Sequence, residues 1–202
     1  VDEWIQNLDE KKMAIIRKSE ILRRYNSAQT ILLEEASERR WASNNLQKAF
    51  ESFSFSEHYD IFLSHAYSDS RIVMQIRNML IEKGYSVYVD WIEDEHLDRG
   101  KVSEHTATVL RNRMNNCSSL IYLTSDSAEK SVWMPWELGY MDARTGRVSV
   151  APIIESDDEE FDGREYLGLY PYLDLTLDSF FIHRGAGSWV TFGDWMQGKK
   201  PK

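Results

Sequence analysis

Apolar and polar positions change their rhythm twice along this chain. From residue 1 to about 50 the spacing is helical but broken. Leu8, Ile15, Leu22, Ala36 and Phe50 fall on one seven-residue series whose polar members are Gln29 and Ser43; Tyr25, Leu32 and Leu46 fall on the neighbouring one. Spacing of this kind keeps one helix face apolar. The first Gly or Pro anywhere is Gly84, so nothing early breaks a helix outright. The pattern predicts a helical arm over 1–55, interrupted near Asn26-Ser27 and Ser43-Asn44-Asn45. Periodicity alone leaves open whether such an arm packs on its own domain or assembles subunits.

From Tyr59 the rhythm becomes short apolar runs alternating with amphipathic stretches. Strands are predicted at Tyr59 to Leu63, at "YSVYVD" ending on Asp90, at "SSLIYLT", at "VSVAPII" and at "YPYLDLTL". Helices are predicted over Arg71 to Lys83, closed by Gly84, over 102–115, and from about Ser131. The continuous apolar character of "SSLIYLT" suits a strand covered on both faces. Alternation of this sort predicts an α/β domain over 56–178, a five-stranded parallel sheet with helices on both faces. Ligands bind such sheets outside the carboxyl ends of the strands. The loops after Leu63, Val89 and Leu123 are therefore expected to share one edge, bringing Ser64-His65, Asp90-Trp91 and the approach to Glu137 together. The third rhythm covers 179–202. Phe180, Phe181, Trp189, Phe192 and Trp195 need burial, against the sheet edge or the arm. The closing "GKKPK" is expected to be disordered.

Composition narrows the function classes. With 202 residues and 42% hydrophobic side chains, the chain supports one domain with an appendage. Twenty-four basic against 33 acidic residues give a net charge of -9, which argues against nucleic acid as a partner and leaves room for a small anionic ligand in a local pocket. Cys117 is the single cysteine, so no internal disulfide exists, and no CxxC or HExxH pattern offers a metal site. A reducing, cytoplasmic setting is expected. No apolar run approaches the roughly 18 residues of a membrane span, and no signal peptide is visible. The chain opens on Val1 rather than Met, which points to further sequence upstream. The five histidines show no ligand spacing, and Asp157 to Glu160 reads as a solvated loop. Ser64, His65 and Asp69 suggest a hydrolase triad only superficially, because no Gly-x-Ser-x-Gly elbow surrounds Ser64.

The most specific chemistry lies in "SVWMPWELGYMD", residues 131–142. Pro135 is tolerated only near a helix start, and Ser131 is an N-cap candidate. Glu137 then falls in the first two turns, where the helix dipole favours its ionised form and an apolar wall opposes it. Trp133, four residues earlier, is placed to share its face. A shielded carboxylate beside an indole suits a substrate that develops positive charge. The plainer reading is that Glu137 complements the dipole and the tryptophans fill the core.

Three stretches, "YDIFLSHAYSD", "YVDWIEDEHLDRGK" and "SVWMPWEL", occur in order at domain-like spacing. Together they resemble the signature boxes of TIR (Toll/interleukin-1 receptor) domains, over about residues 58–175. The resemblance implies a flavodoxin-like sheet and, as in the bacterial NAD+-consuming type, cleavage of NAD+ at the nicotinamide–ribose bond. NAD+ is then a substrate, and no cofactor is implied. Glu137 takes the place of the family's catalytic glutamate. The loop from Trp91 to Lys101 takes the place of the one that covers the site and takes part in assembly. Expected substrate contacts are Ser64 and His65, Asp90 at the strand end, stacking by Trp91 or Trp133, and Tyr67, Arg99 and Lys101 where relatives often carry a first-box arginine. Met134 stands where the family usually has Cys. The resemblance to antiphage-defence TIR proteins implies a signalling nucleotide sensed by a downstream effector, with self-association through the TIR domain and the N-terminal helices. The alternative is a non-enzymatic TIR–TIR scaffold or adaptor.

Overall fold

The computed structural model describes residues 16–25, 58–94, 97, 102–125, 128–154, 165–175, 180–185 and 187–201. Most of the expected arm, both of its breaks, and Asp157 to Glu160 lie outside them. The elements in chain order are β1 (Ile16–Arg17), α1 (Lys18–Tyr25), β2 (Tyr59–Ser64), α2 (Ser70–Glu82), β3 (Val87–Tyr88), the single turn α3 (Asp90–Glu93), α4 (Glu104–Asn115), β4 (Cys117–Thr124), α5 (Trp133–Thr145), β5 (Val148–Ile154), β6 (Tyr172–Leu175), β7 (Phe180–Gly185), β8 (Ser188–Thr191) and α6 (Phe192–Met196).

These strands form one mixed sheet in the order β3-β2-β4-β5-β6-β7-β8, with β1 beside β5. The pairs from β3 to β6 are parallel, and β7 and β8 continue antiparallel. In place of the expected five-stranded parallel sheet stands a mixed sheet of eight strands, whose parallel run β3-β2-β4-β5-β6 reaches one edge at β3. The difference has a physical source. Phe180 and Ile182 of β7 are buried, and Phe192 and Trp195 of α6 pack with them into the core on the α2 side. The aromatic extension buries most of its apolar area by lengthening the sheet, but Trp189 of β8, expected to be buried, stays largely exposed and meets only Phe181, edge-to-face, among the described rings. The tail is also more tied than its composition suggests. Lys199 donates its backbone N–H to the Asp194 carbonyl and its Nζ to Asp194 Oδ1 at 2.8 Å.

Two apolar layers hold the sheet. On one face Ile72, Val73, Ile76, Met79 and Leu80 of α2 meet Ile61, Leu63, Ile121 and Leu123. On the other, Leu110 and Met114 of α4 and Leu138 and Met141 of α5 meet Phe62, Leu120 and Tyr122. Covering both faces explains the continuous apolar runs of β2 and β4. Helix ends follow local chemistry. The Ser103 hydroxyl accepts the Thr106 N–H at the start of α4, and Gly146, at φ 58°, closes α5 in the left-handed conformation that glycine adopts freely.

The described part of the arm begins as a strand. Ile16 and Arg17 pair in parallel with Ile153 and Ile154, beyond the Val150–Tyr172 pairing that joins β5 to β6. Ile16 and Ile21 are buried in the α2-side layer. The free backbone edge at the end of β5 thus draws a β-branched segment into the sheet despite its helical periodicity.

Two ionisable groups in this framework support predictions. Cys117 is buried, and burial pushes its thiol up to about 12. The folded protein is expected to resist iodoacetamide at mildly alkaline pH and to react fully in denaturant, as followed by mass spectrometry. Asp174 of β6 is raised by burial, partly offset by His183. A carboxyl raised in the folded state adds stability that is present at low pH and lost as pH rises through the folded value. Asp174→Asn is therefore expected to raise the melting temperature at neutral pH, with the gain vanishing below the ordinary carboxylate range, as read by calorimetry across pH.

Candidate active site

The parallel strands place the carboxyl ends of β2, β3 and β4 at one edge, in the register Phe62 opposite Tyr88 and Ser64 opposite Tyr122. Side chains alternate along a strand. Ser64 therefore shares the face of Phe62, the face covered by α5. That helix starts at the same edge, after the short turn Ala128–Lys130. Its buried positions are Trp133, Met134, Glu137, Leu138 and Met141, a single helical stripe in which Glu137 is the one charged member. The helix begins at Trp133, after Val132; the Ser131 hydroxyl accepts the Met134 N–H at 3.2 Å.

Glu137 has no exposed surface (0%), and its Oε2 accepts a 2.6 Å hydrogen bond from Ser64 Oγ. An ionised carboxylate withdrawn from water costs several kcal/mol unless partnered, and a charge-assisted hydroxyl bond offsets part of that cost. Trp133 is buried beside it on the helix and meets Trp136 edge-to-face, with centroids 5.6 Å apart. The site is thus a desolvated carboxylate with an oriented hydroxyl, flanked by an indole, at the edge where parallel sheets bind ligands.

His65, next along the chain, is buried. Its Nδ1 donates to the Leu63 carbonyl at 2.8 Å, its Nε2 accepts the Trp91 indole N–H at 2.8 Å, and Asp90 Oδ1 lies 3.4 Å from Nε2. Trp91 packs against the α2-side layer, on the opposite face of the sheet from Ser64 and Glu137. His65, Asp90 and Trp91 thus meet one another at the predicted edge. Tyr67 lies on the turn Tyr67–Asp69. Arg99 and Lys101 lie outside the described residues.

Sequence reasoning missed the groups that hold this edge. Asp94, just past α3, receives a bidentate pair from Arg113 of α4, with both bonds 2.8 Å, and the Tyr88 hydroxyl at 2.6 Å. Burial opposes the Arg113 charge, but the bond to Asp94 and its negative charge hold the guanidinium above its usual range. Burial, with Asp94 adding to it, holds the Tyr88 phenol well above its own. Glu93 accepts from Tyr59 at 3.2 Å and from Arg77 at 3.5 Å. Ser125, after β4, donates to the buried Asp69 at 2.6 Å. These partners come from separate elements, so no spacing in the sequence announces them. A cleft of about 130 Å³ lies at the other edge of the sheet, lined by Thr145, Gly146, Arg147, Trp195, Gly198, Lys199 and Lys200. Arg147 there is engaged by the Ser118 and Met196 carbonyls, and Lys199 by Asp194. Among the described residues no three His, Cys, Asp or Glu side chains cluster as a metal site, and no helix is long and apolar enough to cross a membrane.

A doubly covered, largely parallel sheet with a glutamate buried on the helix after its third central strand defines the class. The chain belongs to the TIR domain family, whose model matches residues 61–183. It is 44% identical over 168 residues to the "Probable 3' cyclic ADP-D-ribose synthase ThsB'" of Bacillus cereus (strain MSX-D12), covering 80% of this chain and 87% of that one. It is 30% identical over 140 residues to the "Putative cyclic ADP-D-ribose synthase TIR2" of Cytobacillus dafuensis, covering 67% of this chain and 37% of that one. The TIR domain of the Toll-related receptor TRR-2 from Hydra magnipapillata aligns at 18% identity and a TM-score of 0.43, over 56% of this chain and 82% of that domain.

Proposed function

We propose that this protein cleaves NAD+ at the nicotinamide–ribose bond, with Glu137 as the catalytic residue, and that it forms a cyclic ADP-ribose. The observation that carries the reading is the buried Glu137 carboxylate, bonded to Ser64 at the carboxyl edge of the sheet. The names of the two bacterial relatives supply the reaction class. The order β3-β2-β4-β5-β6 of the parallel strands supports a flavodoxin-like core for it.

Nicotinamide departs as a neutral base and needs little acid assistance. The ribose left behind is oxocarbenium-like, as in glycoside cleavage. A fixed carboxylate in a dry site stabilises that charge most as it develops. Ser64 orients Glu137, and Trp133 offers a flat apolar wall. Arg99 and Lys101 are the proposed phosphate contacts, with Tyr67 as an aromatic one. In cyclisation a hydroxyl of the same molecule attacks the anomeric carbon and loses its proton, so the product is NAD+ less nicotinamide. In hydrolysis water attacks, and the product is heavier by one water. Mass spectrometry of the products from NAD+ separates the two outcomes. Absence of both nicotinamide and either product, in every oligomeric state tested, would overturn the reading.

A signalling role in bacterial immunity, in the cytoplasm, with a downstream effector sensing the product, accords with this chemistry. One observation favours a second reading. Glu137 is fully enclosed, so ribose reaches it only after its cover rearranges. A TIR–TIR scaffold needs no such opening. We reconcile the two by proposing that self-association, through the TIR domain and the arm at 1–55, opens the catalytic edge. Nicotinamide release that rises with protein concentration supports this; release independent of concentration counts against it.

A further inference from the structure

We propose that His65 is a positioning residue that locks Trp91, and through it the start of the loop after β3, to the strand end bearing Ser64. The inference rests on the catalytic reading of Glu137. It assigns His65 and Trp91 to each other rather than to NAD+.

The two 2.8 Å contacts of His65 together fit one proton arrangement, with Asp90 Oδ1 farther from Nε2 at 3.4 Å. A carbonyl oxygen carries no hydrogen, so His65 Nδ1, 2.8 Å from the Leu63 oxygen, is the donor. An indole nitrogen only donates, so His65 Nε2, 2.8 Å from Trp91 Nε1, is the acceptor. Both bonds are satisfied by a neutral imidazole protonated on Nδ1. His65 is 3% exposed, so the ring has little freedom to leave this arrangement. The residue before it donates to Glu137 at 2.6 Å on one face of the sheet, while Trp91 packs into the α2-side layer on the other. His65 therefore joins the two faces at the catalytic edge. Freeing Trp91 releases the ring that braces the backbone next to Ser64, and an error of about 1 Å in a reacting group costs up to about a hundredfold in rate.

The test uses the full chain labelled with 15N. Long-range proton–nitrogen spectra are expected to show His65 with a proton on Nδ1 and none on Nε2. Trp91→Phe is expected to remove one of the seven indole N–H signals, a slowly exchanging one, and to shift the Nε2 resonance. In nicotinamide release, His65→Ala and Trp91→Phe are each expected to lower kcat about tenfold with KM for NAD+ unchanged. The double variant should fall no further than the worse single variant, as two members of one contact require. His65→Gln, which keeps an acceptor oxygen, should recover part of the loss.

Additive losses, or a rise in KM alone, mark direct substrate contacts and overturn the inference. So does an Nε2 that carries a proton or ignores Trp91→Phe. The spectra need no turnover. Failure of the NAD+ reading at Glu137 therefore leaves the His65–Trp91 contact to be decided separately, and Trp91→Phe spares the buried imidazole if His65→Ala fails to fold.

Discussion

Glu137→Gln is expected to slow nicotinamide release from NAD+ by about a thousandfold, the upper range for removing one preorganised electrostatic group, while the protein becomes more stable. The two effects share one cause. Glu137 occupies a fully buried position within the apolar stripe of α5, between layers formed by Trp133, Met134, Leu138 and Met141. A neutral residue of the same shape keeps an acceptor for the Ser64 hydroxyl and sheds the cost of desolvating a charge. A gain of about 1 kcal/mol corresponds to about 3 °C in melting temperature for a domain of this size. Function and stability thus move in opposite directions at one residue, as expected where a site is maintained against the preference of the core. Chromatography for nicotinamide and calorimetry on the same preparations check both halves. A variant that stays active refutes the catalytic assignment; one that loses activity together with stability points to a packing role.

Arg113→Met is expected to destabilise the fold by about 3 kcal/mol, the cost of stranding a mostly buried carboxylate, and to lower the melting temperature by about 8 °C. Asp94 is held by both Arg113 bonds and by Tyr88, and Arg113 also lies over the Tyr88 ring at 5.7 Å. Removing the cation leaves the Tyr88 hydroxyl as the carboxylate's remaining described partner. Asp94→Asn in the same chain should restore much of the loss, because the stranded charge is then gone. Denaturant unfolding of the two single variants and the double one measures the coupling. Simple additivity would show that the cluster contributes no shared energy. Because Asp94 immediately follows Trp91, Ile92 and Glu93, the same series reports how firmly the segment entering the loop is anchored.

The sequence by itself determined much of the domain. β5 spans the predicted "VSVAPII" residue for residue, β2 and β4 differ from their predicted runs by a residue at one end, and α2 by a residue at each end. Hydrophobic periodicity is a local property, and burial on both faces writes it plainly. The placement of Ser64 near Glu137 was foreshadowed by topology, because parallel strands put successive carboxyl ends on one edge. Their 2.6 Å bond was not, since it joins residues 73 positions apart.

The tertiary structure alone decided the rest. It paired Ile16 with Ile153 where the letters suggested only helix, because an open strand edge outweighs weak local periodicity. It cut the second predicted strand to Val87–Tyr88 and used Asp90 to begin a helical turn. It turned the aromatic extension into two further strands and a helix. It matched Arg113 to Asp94, and Trp91 to His65, by bringing separate elements within reach. Local pattern records which face of a segment avoids water; which polar groups then meet depends on how the segments pack, and that is settled only when the whole sheet forms.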